Sequence, residues 1–279
     1  MKTLPTLTYA EPRYVSDLSD CVFYHTVDLP GFGTVDGEWD LRRTAGNYLG
    51  HVPLAGKHVL EMGAANGFLT WYMESQGARV TCYDLSPDFD WDVVPFACID
   101  TDGLAQERKE HIRKQNNAFW LTHRLLSLNA KVIHGTVYGI PAGVNEVDIT
   151  TFGSILLHTR DPLLAIQQAA RVTREKIIIT EILDNRRQSI LHTFTSGWAG
   201  RLLSRIRQKV SGPSMILRPN RQAQGPLETW WHISPELLIQ YLNVLGFGDV
   251  KMTYHEQTYR SNNNKQLMYT LVATRTEKM

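Results

Sequence analysis

The chemistry of this chain centres on two glycines set between an apolar run and a helical one. Val59-Leu60-Glu61-Met62 reads as a strand, Gly63-Ala64-Ala65-Asn66-Gly67 as a turn, and Phe68-Leu69-Thr70 as the opening of a helix. A second short strand, Arg79-Val80-Thr81-Cys82-Tyr83, delivers Asp84. Glycine lets backbone pass close beneath a ligand, a helix N-terminus offers unpaired N–H groups, and an acid after the second strand can hold a ribose diol. These are the parts of a site for a nucleoside-containing cofactor.

Spacing separates two cofactor classes. A nicotinamide loop carries glycine at its first, third and sixth positions. Counted from Gly63, the third position is Ala65 and the sixth is Phe68, which is at odds with the close helix–sheet packing that the last glycine permits. The pattern Glu61-x-Gly63-x-x-x-Gly67-x-x-Thr70 instead resembles motif I of the class I S-adenosylmethionine (AdoMet) methyltransferases, over residues 55 to 275. Ala65 departs from the commonest form of that motif, in a way that many members share. The resemblance implies AdoMet as cofactor and S-adenosylhomocysteine as its product. It implies that Glu61, Gly63, Ala64 and Gly67 form the loop around the methionine part and that Asp84 binds both ribose hydroxyls. By the same family positions, Leu85 flanks the adenosine, Thr136 and Val137 contact adenine, and Phe152, Gly153 and Ser154 floor the transferring methyl.

Two further stretches are similar to the group containing the tRNA wobble-uridine carboxymethyl transferases. They are Gly153-Ser154-Ile155-Leu156-Leu157-His158-Thr159-Arg160-Asp161-Pro162 and the Glu38-Trp39 pair ahead of motif I. No lysine pair that would read the extra carboxylate of a modified cofactor is evident, so plain AdoMet is the expectation.

Methyl transfer from a sulfonium is an in-line displacement, so positioning and desolvation supply much of the acceleration. A base is needed only where the acceptor must lose a proton. His158 is the first candidate, since it follows the fourth strand at the ligand edge and an imidazole titrates near neutrality. His232 and His25 stand behind it, and Glu181 ends the fifth strand, where it either orients an acceptor or satisfies backbone donors. Two readings stay open for Trp39 and Arg42: closure over the methionine end with the guanidinium on its carboxylate, or a packed Trp beside an exposed Arg. Trp230-Trp231 reads either as a stacking surface for an acceptor or as a hydrophobic hinge.

The elements that must position these groups alternate between strand and helix. A loop spans 86–102, and a helix is expected from Leu104 to Leu128, followed by strands at Lys131–His134 and Val147–Phe152. Asp161-Pro162 caps and starts a helix running to Val172, and Lys176–Glu181 is a β-branched strand. Ser234-Pro235-Glu236 opens a helix that stops at Gly246, before strands at Asp249–His255 and Leu267–Thr274 around the polar turn 261–264. Such alternation predicts an α/β fold, a Rossmann-like doubly wound sheet. The methyltransferase resemblance sets it at seven strands, mostly parallel, with an antiparallel C-terminal hairpin. Residues 1–50 then form an N-terminal extension or lid, 51–181 the AdoMet-binding core, 182–233 a cap insertion, and 234–279 the closing helix and hairpin.

At 279 residues and 43% hydrophobic content the chain can bury a sizeable core. No apolar stretch is long enough to cross a bilayer, and Met1-Lys2-Thr3-Leu4-Pro5 lacks a signal-peptide core. Cys21, Cys82 and Cys98 show neither a disulfide framework nor metal-ligand spacing, so a reducing cytoplasm and no metal are expected. Gly-x-Ser-x-Gly is absent, which leaves nucleophilic catalysis without support. A net charge of +1 gives no global drive toward nucleic acid, although 186–221 carries Arg186, Arg187, Arg201, Arg205, Arg207, Lys209, Arg218 and Arg221 with no Asp or Glu. The expected activity is methyl transfer to a small-molecule acceptor, such as a sugar or natural-product hydroxyl. An RNA-modifying transferase using the basic stretch and a non-catalytic AdoMet-binding regulator remain the alternatives.

Overall fold

The computed structural model describes residues 6–97, 99–183, 212–260 and 264–278. Cys98, most of the basic 186–221 stretch and the tip of the last hairpin therefore lie outside the described residues.

The N-terminal extension carries three short strands, β1 (Val27–Leu29), β2 (Gly33–Val35) and β3 (Trp39–Asp40). Then come α1 (Ala45–Tyr48), β4 (His58–Met62), α2 (Phe68–Ser75), β5 (Arg79–Asp84), α3 (Thr101–Leu125), β6 (Lys131–His134) and β7 (Val147–Gly153). The chain continues through α4 (Pro162–Val172), β8 (Thr173–Ile182), β9 (Met215–Leu217), β10 (Trp231–Ile233), α5 (Pro235–Val244), β11 (Asp249–Tyr259) and β12 (Asn264–Thr274).

Eight strands share one sheet, in the order β3-β11-β12-β8-β7-β4-β5-β6. The block β8-β7-β4-β5-β6 is parallel, β12 inserts antiparallel beside β8, and β11 pairs along the full length of β12. This is the expected doubly wound sheet with its closing hairpin. It has eight strands rather than seven because β3, from the N-terminal extension, pairs with the outer edge of β11 at Tyr259↔Trp39 and Thr258↔Asp40. The Trp39 indole lies 4.9 Å from the Tyr259 ring at a tilt of 49°, so aromatic contact accompanies the backbone pairing at the end of β11.

Side chains alternate across the pleat and build a core on each face. In β4, Val59 joins α2, α3 and the N-terminal segment on one face, while Leu60 and Met62 face α4 and α5 on the other. Helix starts follow capping chemistry. Asp161 accepts from the Leu164 N–H at 3.0 Å ahead of Pro162, and Ser234 accepts from the Leu237 N–H at 3.2 Å ahead of Pro235. Asp100 accepts from the N–H groups of Asp102 and Gly103, so α3 begins earlier than the apolar periodicity suggests. It also ends sooner, because Ser127 turns with φ of 54°. Cys82 is a buried free thiol in the core, and Cys21 is half-buried and free. No helix among the described residues is long and apolar enough to cross a membrane.

Candidate active site

The C-terminal ends of β4, β5, β6 and β7 open into a cavity of about 540 Å³. Its floor is the loop after β4. Gly63 has φ of +79°, and a Cβ there would sit 2.7 Å from the Ile155 side chain, so both backbone and space demand glycine. Gly67 has φ of +80° at the N-terminus of α2, where a Cβ would press on the Phe119 ring at 3.1 Å. Between them Ala65 holds φ of 50°, which aims its N–H at Asp84. That carboxylate accepts from the Ala65 N–H at 3.1 Å and the Leu85 N–H at 2.7 Å. Burial nonetheless pushes its pKa up to about 6, against the pull of those backbone donors.

The opposite wall comes from segments far apart in sequence. His158 lines the cavity, and its Nδ1 lies 2.6 Å from the Glu228 carbonyl oxygen. A carbonyl only accepts, so Nδ1 carries the proton and Nε2 keeps the lone pair. Burial holds this imidazole below its usual pKa, in the neutral form at pH 7. Its ring stands edge-on to Trp91 at 6.0 Å, and Trp91 in turn meets His111 at 6.4 Å. Glu228 pairs with Arg108 of α3. The backbone of its neighbourhood is stitched down by Val94 N–H to Leu227 O at 2.9 Å and Trp230 N–H to Leu157 O at 2.8 Å. The segment before β10 is thus fastened over both the loop after β5 and the loop after β7. On the N-terminal side, Tyr24, Glu38 and Trp39 complete the wall with Tyr259. Burial and the nearby Glu228 raise the pKa of Glu38.

Of the residues singled out in the sequence, Gly63, Asp84, Leu85, Thr136, Val137, Gly153, Ser154, His158, Trp39 and His25 line this one cavity. The others lie elsewhere. Glu61 is buried beneath α2, where it accepts from the Thr70 hydroxyl at 2.5 Å, and burial raises its pKa to about 8. Ala64 and Phe152 are core residues, and Gly67 turns the chain into α2. Glu181 accepts from the Leu156 N–H at 2.9 Å, satisfying a backbone donor of the loop after β7, and burial raises it to about 8. Arg42 is turned into a cluster with Asp40 at 2.8 Å and Asp28 at 2.8 Å, away from the cavity. His232 sits in the β9–β10 pair opposite Ile216 and does not line the cavity. Trp230 donates its indole N–H to the Asp92 carbonyl at 2.6 Å, and Trp231 donates its own to the Arg160 carbonyl at 3.2 Å, so both serve as fasteners.

Sequence reasoning missed Trp91, Arg108, His111 and Glu228. Arg108 and His111 are one turn apart on α3, but only tertiary folding brings that helix face to Trp91 and Glu228. Asn66 was also missed, although it lies inside the glycine loop itself.

No protein-family model matches the chain, and no curated protein matches it. Among solved structures, a SAM-dependent methyltransferase from Methanosarcina mazei is 16% identical, covers 86% of this chain and 100% of its own, and superposes with a TM-score of 0.52. The N-terminal domain of EvdMO1, solved in the presence of S-adenosylhomocysteine and D-fucose, is 16% identical over 93% of each chain with a TM-score of 0.50. A third structure, concerning conversion of a disulfide bond into a thioacetal group during echinomycin biosynthesis, is 15% identical over 84% of this chain and 82% of its own, with a TM-score of 0.50. Sheet order and structural likeness agree: the chain has the fold of the class I AdoMet-dependent methyltransferases.

Proposed function

We propose that the protein is an AdoMet-dependent methyltransferase acting on a small-molecule acceptor, with a sugar or natural-product hydroxyl as the favoured class. The observation that carries this reading is the joining of two chemistries in one cavity. At one end Asp84 is fixed by the Ala65 and Leu85 N–H groups beside Gly63. At the other a neutral His158 stands against Trp91.

The residues present suit the cofactor. A carboxylate anchored by two backbone donors keeps lone pairs for a vicinal diol, Leu85 and Val137 offer apolar surface to a planar base, and Tyr24 and Trp39 offer aromatic faces to a cation. AdoMet, when bound, supplies an electrophilic methyl group. The chain itself contributes placement and proton handling. The Glu228 carbonyl holds His158 in the tautomer whose Nε2 can accept a proton from an acceptor hydroxyl. Glu181, by holding the Leu156 N–H, positions the short turn that carries His158. Glu228 and Thr229, in the segment fastened by the Leu227 and Trp230 backbone bonds, line the cavity and help to shape the acceptor side. A cavity of about 540 Å³ has the size of a small-molecule site, which supports a small acceptor.

Titration calorimetry with AdoMet and with S-adenosylhomocysteine tests the proposal. Saturable binding of both at one site per chain is expected, and binding of neither would overturn it.

A further inference from the structure

Asn66 is wholly buried, and it does not point at the cavity. Its Oδ1 accepts the His25 backbone N–H at 2.7 Å, and its Nδ2 donates to the His25 carbonyl at 3.0 Å. The amide is oriented without ambiguity, since a backbone N–H only donates and a C=O only accepts. One side chain from the glycine loop thus closes a two-bond clamp on a residue of the N-terminal segment, forty-one positions away.

What the clamp holds is the wall of the cavity. From His25 the backbone is bonded directly across to β3: the Thr26 N–H donates to Trp39 O at 2.8 Å, and the Trp39 N–H donates to Tyr24 O at 2.9 Å. The crossing is tight enough that a Cβ on Gly37 would fall 2.3 Å from the His25 carbonyl carbon. On its other side β3 is pinned to β11 at Tyr259↔Trp39 and Thr258↔Asp40. The segment is therefore a strut between the glycine loop and the edge of the sheet. Tyr24, His25 and Trp39, carried on it, face the cavity. Asn66 lies between Ala65, whose N–H holds Asp84, and Gly67, which starts α2. A ligand that settles the loop on Asp84 settles Asn66 with it.

We propose that Asn66 is a positioning residue that registers the N-terminal strut on the glycine loop, so that seating the cofactor and closing the Tyr24–Trp39 wall are one coupled event. The ligand in this proposal rests on the functional reading above; the clamp does not. Two sites coupled in this way must report on each other.

Hydrogen exchange on the full chain, with and without S-adenosylhomocysteine, tests it. In the wild type, added ligand should slow exchange in 22–40 and in 62–68 together, with the same midpoint concentration; different midpoints overturn the coupling, and this arm needs no variant. Asn66→Asp keeps the shape and an acceptor for the His25 N–H, but sets an oxygen against the His25 carbonyl. In it, ligand affinity should fall about tenfold, the net worth of one to two hydrogen bonds, and bound ligand should protect 62–68 but no longer 22–40. Undiminished protection of 22–40 overturns the proposal. The two readings fail separately. If the wild type binds no ligand, the cofactor assignment is lost, and the clamp is judged on the free proteins alone: the 22–40 segment should exchange about tenfold faster in Asn66→Asp than in the wild type, and equal rates refute it.

Discussion

Replacing Asp84 by Asn should weaken S-adenosylhomocysteine binding and remove its dependence on pH. The carboxylate is placed by two backbone N–H donors at 3.1 and 2.7 Å, and asparagine can keep one of these through its own oxygen. What it loses is the charged acceptor for the ribose diol. Hydrogen bonds to a charged group contribute about 1.5–3 kcal/mol and neutral ones about 0.5–1.5. Weakening both diol contacts therefore costs about 2–3 kcal/mol, or roughly 30- to 150-fold in affinity. The pH arm follows from burial, which raises Asp84 to about 6. Binding through the ionised form is full above that value and is lost as pH falls through it. At pH 5 about one wild-type molecule in ten has the carboxylate charged, so affinity should be about tenfold lower than at pH 7.5. Calorimetric titrations of both proteins at the two pH values give all four constants. A wild-type affinity that is flat from pH 5 to 7.5, together with an Asp84→Asn loss under about threefold, would refute the ribose assignment.

Three further outcomes follow from the same geometry. His158→Gln should lower the methyl-transfer rate by about 10²–10⁴-fold for any hydroxyl acceptor the wild type accepts, while leaving S-adenosylhomocysteine affinity nearly unchanged; unchanged turnover would remove it as base. Glu181 has its folded pKa raised to about 8 from an ordinary carboxyl value, so the native state binds the extra proton between about pH 4.5 and 8 and stability falls as pH rises across that window. Glu181→Gln, which mimics the protonated carboxyl, should flatten the slope of urea-unfolding free energy from pH 6 to 8, and an unaltered slope would count against the assignment. Arg108→Met leaves the Glu228 carboxylate without its partner in a partly exposed pair and should cost about 1–2 kcal/mol, with partial recovery in the Arg108→Met, Glu228→Gln double variant; additive losses would show that the pair does not interact.

The parts of this protein that could be read in its sequence are those whose determinants are local. The turn after β4 was readable because Gly63 and Gly67 occupy positive-φ positions and because Asp84 ends the neighbouring strand, all within one βαβ unit. The caps at Asp161 and Ser234 were readable for the same reason, and the alternation of elements led to the sheet. Non-local pairing was harder to see. Arg42 adjoins the cavity segment in sequence, yet the β1–β2 fold-back brings Asp28 to it and the resulting ion pairs turn it outward. The eighth strand depends on Trp39 finding Tyr259 across the chain, a contact with no periodic signature. Arg108 and Glu228 come from separate elements and meet only when the segment before β10 folds over the cavity. Asn66 was hidden differently: it lies in the motif, but its partner is backbone, and backbone leaves no mark in a sequence.

In the proposed function, the cavity above β4, β5 and β7 takes an AdoMet-type ligand beside an acceptor pocket. A crystal structure grown with saturating S-adenosylhomocysteine tests it most directly. Ribose hydroxyls are expected on Asp84, the base between Leu85 and Val137, and the sulfur directed toward the His158 side of the cavity. Ligand bound away from Asp84, or a cavity left empty at saturating ligand, would contradict it.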